Sequence, residues 1–280
     1  MHPDQQLIVT KASGEKVPFE PKKILNSLTQ AGALPEIAEK ILEDIQSEAH
    51  QGISTRRIYQ RAFNLLRKHS RPLAAKYKLK RAVMELGPSG YPFEYFVGEL
   101  LKRHGYQVQV GVHIRGKCIS HEVDVLGDRD GHRIAVECKF GATPNKRLDV
   151  KIPLYIRSRV EDLIQAWRAE SGGNHRSYQG WIVTNGTFSP DAQDYGVCAG
   201  LRLMSWNFPH KGNLKDFIEH TGLYPLTTLI TLTKAEKKHF LDKKLVLVKS
   251  LQEQPQLLEE LQLSKSRLRK TREEVEVLCH

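Results

Sequence analysis

Residues 120–139, SHEVDVLGDRDGHRIAVECK, read as two strands and a turn, with charged side chains set inside apolar runs. His121–Leu126 and His132–Lys139 have strand composition, and Gly127–Gly131 has turn composition. Side chains alternate along a strand, so Ala135, Glu137 and Lys139 share one face and Ile134, Val136 and Cys138 the other. Asp124 on the neighbouring strand then meets Glu137 and Lys139 across the hairpin. An unpaired charge is costly to bury, so charges in an apolar strand need a reason. Two carboxylates supply hard oxygen ligands for Mg²⁺ and leave the remaining octahedral positions to water and phosphate. An adjacent lysine can polarise the attacking water while the metal stabilises a phosphoryl-transfer transition state. The competing reading is a half-exposed strand, with Glu137 and Lys139 in solvent and Asp124 in a turn. Glu-x-Lys alone separates nothing, because it recurs at Glu20-Pro21-Lys22 and Glu236-Lys237-Lys238 outside any apolar strand.

Upstream, Tyr91-Pro92 opens a helix whose apolar face is Phe93, Phe96, Val97, Leu100 and Leu101, and His104-Gly105 closes it. Strand-like runs follow at Gln107–Val112, Trp181–Thr184 and Leu203–Trp206, with a helix over Leu154–Ala169. A helix, three strands, a helix and two strands predict a layered α/β core with a mixed sheet.

Residues 89–208 resemble the PD-(D/E)XK nuclease superfamily, particularly the Mrr-like restriction endonuclease domain. The likeness is carried by Gly90-Tyr91-Pro92-Phe93-Glu94, by Gly105-Tyr106, by Asp124 with Glu137-Cys138-Lys139, and by WIVTNGTFSPDA at 181–192. It implies a DNA endonuclease of restriction or repair whose products carry 5′-phosphate and 3′-hydroxyl ends. It also implies Asp124 and Glu137 as ligands of Mg²⁺ or Mn²⁺, the Cys138 carbonyl as a further ligand, and Lys139 as the catalytic lysine. Val123 departs from the nominal Pro, and Glu122-Val123 stand where Mrr-like domains have Gly-Val or Gly-Ile. Glu94 has two readings: it joins the active site, as an acid on the first helix does in the superfamily, or it complements the helix N-terminus. His121, beside the site, is a candidate assistant, and Gln165, on the helix after the motif, either reaches the site or is an ordinary surface amide. The basic loop Thr143-Pro144-Asn145-Lys146-Arg147, continued by Lys151, Arg157 and Arg159, suits contacts to a phosphate backbone. Cleavage of both strands would favour a homodimer by symmetry.

Residues 7–19 read as a hairpin, Leu7–Lys11 and Lys16–Phe19, joined through Ala12-Ser13-Gly14-Glu15. Helices follow from Pro21 to Leu28 and over 35–49, 55–68 and 72–85, with Ser54 or Thr55 as an N-cap. This stretch resembles the ATP-cone through Val9-Thr10-Lys11, Gly14, Val17, Phe19, Lys23-Ile24, Leu28, Thr55, Ile58 and the Ala75/Tyr77/Arg81 run. The resemblance implies a regulatory pocket for ATP or dATP at Val9, Lys11 and Lys23, with Thr55 as a further candidate. Two lysines can neutralise a triphosphate without a Walker loop. Ala12 stands where the family has Arg, and Tyr59 where it often has His. The alternative is a nucleotide-free, basic docking module.

The whole chain of 280 residues is thus expected to hold three parts: 1–88, the cone; 89–225, the nuclease core; and 226–280, a small helical module. The expected fold class is α/β (α+β): a mixed-sheet PD-(D/E)XK core flanked by a mostly helical cone and C-terminal helices. The net charge of +11 favours a polyanionic partner, with DNA as the match to the core's resemblance. Ten basic and no acidic residues fall between Ala49 and Met84. Cys118, Cys138, Cys198 and Cys279 are too dispersed for a zinc ribbon or a disulfide framework. No apolar run is long enough to span a membrane, and the start lacks a signal-peptide pattern, which together suggest a cytoplasmic protein. In the tail, helices are expected at Lys234–Asp242, Lys244–Gln252, Gln256–Leu261 and Lys265–Leu278. Leu257–Leu268 has the order of a helix-turn-helix with Ser264 as the second N-cap, or of a simple packing pair. Two rivals to a restriction-type enzyme are a junction-specific nuclease and a non-cleaving, nucleotide-sensing DNA-binding protein.

Overall fold

A computed structural model describes residues 6–11, 13–143, 146–170 and 177–279. Ala12 of the expected hairpin turn, and Pro144 and Asn145 of the basic loop, lie outside them. The chain divides into two compact units, residues 1–79 and 80–280. Among the described residues, no helix is long and apolar enough to cross a membrane.

In the first unit, β1 (Ile8–Thr10) and β2 (Lys16–Pro18) pair antiparallel, and α1 (Pro21–Gln30), α2 (Pro35–Glu48), α3 (Thr55–His69) and α4 (Arg71–Tyr77) follow. Gly14, at φ +86°, takes the left-handed turn position that a side chain would resist. Pro21 and Pro35 sit in the first turns of their helices, where a missing N–H costs nothing. The N-cap of α3 is Ser54, whose Oγ accepts the Arg57 N–H. Residues 72–85 are not one helix. The Lys78 N–H is shared among the carbonyls of Ala74, Ala75 and Lys76, which tightens the last turn of α4, and α5 (Leu79–Met84) starts anew.

The second unit is built on a five-stranded mixed sheet. Its chain order is α6 (Tyr91–Arg103), β3 (Gln107–Arg115), β4 (Ser120–Arg129), β5 (His132–Lys139), β6 (Arg147–Leu148), α7 (Lys151–Glu170), β7 (Ser177–Thr184), β8 (Thr187–Phe188), α8 (Pro190–Cys198), β9 (Arg202–Met204) and α9 (Leu214–Thr221). Sheet order is β3-β4-β5-β7-β9, antiparallel through β5 and parallel beyond it, while β6 and β8 make a small parallel pair. The parallel step from β5 to β7 is made by α7. The β4–β5 turn is tighter than the expected Gly127–Gly131: strand pairing runs on to Arg129↔His132, and Asp130 and Gly131 alone turn, both at positive φ.

The sheet is covered on both faces. Gly98 of α6 lets that helix approach Val108, Val110 and Val125, so close that a Cβ there would meet Val110 at 3.0 Å. Opposite, α7 buries Ile156, Val160, Leu163, Ile164 and Trp167 against Ala135, Ile182 and Leu203.

The C-terminal helices belong to the second unit: α10 (Lys234–Asp242), α11 (Val248–Glu253) and α12 (Lys265–Cys279). The expected helix from Lys244 begins later because Lys244, at φ +63°, ends the preceding turn in left-handed backbone. The expected first helix of the helix-turn-helix is a 3₁₀ stretch, Pro255–Leu261, ended by left-handed Gln262. Ser264 does accept the Arg267 N–H, and α12 is tied inward where the Glu274 carboxylate takes the N–H groups of Ile230 and Thr231.

Candidate active site

The site begins with a break in strand alternation. Gly111 of β3 has φ +66°, and the β3–β4 pairing skips Gly111 and Asp124 between Val110↔Val125 and Val112↔Val123. Val110 and Val125 face α6, whereas Val112 and Val123 pack into the α7 core. The kink turns β4 over at Asp124. Pairing of β4 with β5 likewise starts only at Val125↔Val136. The Cys138 N–H, left without a strand partner there, donates to Asp124 Oδ2 at 2.6 Å. One carboxylate oxygen thereby substitutes for a ladder carbonyl and fixes the side chain at the end of β5.

Glu137 is 8% exposed, and both its oxygens are held: Oε1 by Lys139 Nζ and Oε2 by Arg159 at 2.7 Å. The other arm of Arg159 donates to the Glu122 carbonyl, and its guanidinium lies 5.4 Å from the centroid of exposed Tyr155. Burial, and then the charge of Glu137, push the Asp124 carboxyl up to about 6, against the lowering pull of the Cys138 N–H, Lys139 and Arg159. Glu94 from α6 joins the same field. Burial and repulsion from Asp124, Glu122 and Glu137 raise it to about 7. The structure therefore brings Asp124, Glu137, Lys139 and Glu94 together. Cys138 contributes differently, since its buried thiol is held well above its ordinary pKa and stays protonated, leaving its carbonyl as the candidate ligand.

Among the described residues, no three His, Cys, Asp or Glu side chains form a ready metal cage. The donor set nevertheless fits a hard divalent cation. Mg²⁺ is ordinarily held by one or two carboxylates with water and phosphate, and two mutually repelling carboxylates are relieved by a dication.

Arg159 was grouped by sequence with the phosphate-contacting bases, and its grip on Glu137 is invisible without α7 laid against β5. His121 does not reach this cluster: its Nε2 is 2.8 Å from Asp162, which also accepts the Cys118 N–H and closes the β3–β4 turn. Gln165 is exposed. The Thr184-Asn185-Gly186 run has a plain structural task. Thr184 donates to the Lys139 carbonyl, buried Asn185 bonds both the N–H and the carbonyl of Gly141, and a Cβ at Gly186 would lie 2.2 Å from the Lys146 carbonyl. Together they clamp the chain just after the lysine.

The first unit has its own cleft, and Val9, Lys11, Lys23 and Thr55 all line it. Thr10 donates twice, its N–H to the Ile53 carbonyl and its hydroxyl to the Gly52 carbonyl, which draws 52–54 alongside β1 and delivers Thr55 next to Val9. Tyr59 and Tyr77 stack at 5.0 Å and 14° at the cleft, whose remaining walls include Val17, Phe19 and Ile58. Lys11 and Lys23 are paired with Glu15 and Glu20 at 2.9 and 2.6 Å, exposed pairs that are cheap to exchange.

Comparison with known proteins places these parts. The ATP cone domain matches residues 7–83, the restriction endonuclease family of the Mrr catalytic type matches 87–207, and the AF1548-like C-terminal domain matches 224–279. An uncharacterized protein of Archaeoglobus fulgidus is 35% identical over 133 residues, 48% of this chain and 71% of that protein. The crystal structure of AF1548, a protein of unknown function, superposes with a TM-score of 0.54 at 30% identity, covering 68% of this chain and 98% of that one. The MspJI restriction endonuclease bound to a 27-mer oligonucleotide is a distant likeness, with a TM-score of 0.36 at 13% identity over 61% of this chain and 35% of that one. The mixed sheet with its flanking helices is the PD-(D/E)XK nuclease core.

Proposed function

From the premise that this chain belongs to the AF1548-like family, with an ATP cone and a restriction endonuclease domain in one polypeptide, we propose that it is a divalent-metal-dependent deoxyribonuclease regulated by ATP or dATP. The observation that carries this reading is the cluster of Asp124, Glu137 and Glu94, held beside Lys139 with two of its carboxyls raised in pKa. Asp124, Glu137 and the Cys138 carbonyl would hold the ion, Mg²⁺ or Mn²⁺. When bound, it supplies charge stabilisation for the phosphodiester and lowers the pKa of a bound water. Arg159 keeps Glu137 oriented, as second partners of ligating carboxylates commonly do. Lys139 holds the attacking water and the growing negative charge, its ammonium supplied from the same edge of β5. Glu94, near neutral at about 7, is suited to pass a proton at working pH.

At the cone, the stacked Tyr59 and Tyr77 suit a purine and the two lysines suit its phosphates, with Val9 and Thr55 between them. The three-part reading, 1–88, 89–225 and 226–280, belongs to this proposal, as do the role in restriction or repair and a homodimer for two-strand cleavage. The test is Mg²⁺-dependent cleavage of supercoiled plasmid with and without ATP or dATP. Wild type should nick or linearise it, Glu137→Ala and Lys139→Ala should lose about 100-fold or more, and nucleotide should change the rate. No cleavage under any metal or nucleotide, with nucleotide-dependent DNA binding retained, would replace this proposal with a sensing protein.

A further inference from the structure

The first turn of α6 carries an aromatic pair that the core does not need. Tyr91 and Tyr95 lie 4.7 Å apart between ring centroids, tilted at 55°, with their phenolic oxygens 3.0 Å apart. Tyr91 is 43% exposed. The ammonium of Lys244, just past α10, stands 5.7 and 5.3 Å from the two centroids.

Lys244 occupies a backbone position that favours another residue. Its φ of +63° is left-handed, and the Leu245 N–H closes back onto the Phe240 carbonyl, the helix ending at which glycine is the usual choice. A lysine stands there despite the strain, with its ammonium over two rings.

The surroundings say what these groups could meet. Glu94 lies on the same turn and within the field of Asp124 and Glu137. On the other side, Ser89 and Pro92 border a pocket that also takes in Lys234, Lys237 and Lys238. On α6, Glu94 in the carboxylate field is flanked by Tyr91 and Tyr95, and the Lys244 ammonium stands against both rings. A nucleic-acid strand offers matching groups in its scissile phosphate, its bases and its neighbouring phosphates. In a paired duplex the base faces are covered by their neighbours and only edges are open in the grooves. An unpaired base has free faces, and it stacks on tyrosine with little regard to sequence.

We propose that Tyr91 and Tyr95 receive an unpaired base next to the scissile phosphate and that Lys244 takes a neighbouring phosphate. The substrate is then DNA that is single-stranded or frayed at the point of cutting, such as a flap. This rests on the nuclease reading above and names its substrate class. Lys244 is exposed, so turning its ammonium from the rings to a phosphate is cheap.

The test has a binding arm without metal and a cleavage arm with Mg²⁺. In EDTA, a single strand carrying 2-aminopurine is titrated with protein, and its quenching is compared with that of the same sequence as duplex. Single strand should bind more tightly, and Tyr91→Ala with Tyr95→Ala should weaken it about tenfold or more. Tyr91→Trp should preserve binding. Lys244→Gly should weaken binding while raising the melting temperature, because glycine relieves the left-handed position; a merely structural lysine would give the opposite change in melting. In the cleavage arm, the rate ratio of flap to duplex should fall in the same variants. Equal affinity for single strand and duplex, or variants within twofold of wild type, overturns the inference. If duplex and flap are cut alike, indifferently to these variants, the nuclease reading survives and this one fails. If nothing is cut but quenching still depends on Tyr91, the nuclease reading fails and the stacking platform stands.

Discussion

Asp124→Asn is expected to abolish cleavage and, in the metal-free protein, to stabilise the fold. The Asp124 carboxyl is raised from an ordinary value near 3.8 to about 6. A group whose pKa is higher in the folded state favours folding at low pH and loses that contribution as pH rises through its folded value. Above pH 6 the folded protein must hold the carboxylate ionised beside Glu137, whereas the unfolded chain does so freely. At 1.36 kcal/mol for each pKa unit, the cost at pH 8 comes to about 3 kcal/mol, trimmed to about 2–3 by partial exposure, and it shrinks to about 0.5 kcal/mol at pH 4. Asparagine keeps an oxygen for the Cys138 N–H and drops the charge.

All three tryptophans, Trp167, Trp181 and Trp206, lie in the second unit, so thermal unfolding followed by tryptophan fluorescence reports on that unit alone. In EDTA at pH 8 the variant should melt about 4–10 °C above wild type, a gain that largely disappears at pH 4. Adding Mg²⁺ should raise wild type and leave the variant where it was. A variant that melts at or below wild type at pH 8, or a gain that does not shrink toward pH 4, would refute the claim that Asp124 is held against its own repulsion.

Arg159→Met should destabilise the metal-free second unit by about 1.5–3 kcal/mol, because buried Glu137 loses a charge-assisted bond, and Mg²⁺ should narrow that deficit in the same melting experiment. Asn185→Ala leaves the Gly141 N–H and carbonyl without their buried partner, for a loss of about 2–4 kcal/mol and a matching fall in melting temperature. Lys23→Ala should weaken ATP binding about tenfold by isothermal calorimetry while cleavage without nucleotide stays at wild-type rate; unchanged affinity would remove Lys23 from the cleft's function. Apparent Mg²⁺ affinity should rise with pH from 5 to 7 and level off above, as Asp124, raised to about 6, sheds its proton.

The strand pair and the first helix were legible because their signals are local. Ile134, Val136 and Cys138 alternate with Ala135, Glu137 and Lys139, and Pro92 marks the first turn of α6. That period alone puts Glu137 and Lys139 on one face, whereas the place of Asp124 depends on a kink. Arg159 was not legible, because which of the basic residues on α7 meets Glu137 depends on how a twenty-residue helix lies across the sheet. Lys244 was read as a helix start because lysine favours helices and nothing local announces its left-handed backbone. The tail's 3₁₀ stretch was read as a helix for a similar reason: Leu257, Leu258 and Leu261 fit either period over so short a run.

Gly111 carries the most informative of these lessons. An isolated glycine inside an alternating strand signals a bulge or kink, and that signal stood in the sequence without being attached to the site. Continued in register from Val125↔Val136, the ladder would have set the Val123 carbonyl opposite the Cys138 N–H as an ordinary acceptor, and the Asp124 side chain would have been free to point elsewhere. The kink withdraws that backbone, and the carboxylate moves into the vacated bond. The position of the acid thus follows from a missing pair of strand hydrogen bonds. The same opening that costs the sheet two bonds fixes one oxygen of Asp124 and holds the carboxylate where burial first, and the charge of Glu137 second, raise its proton affinity.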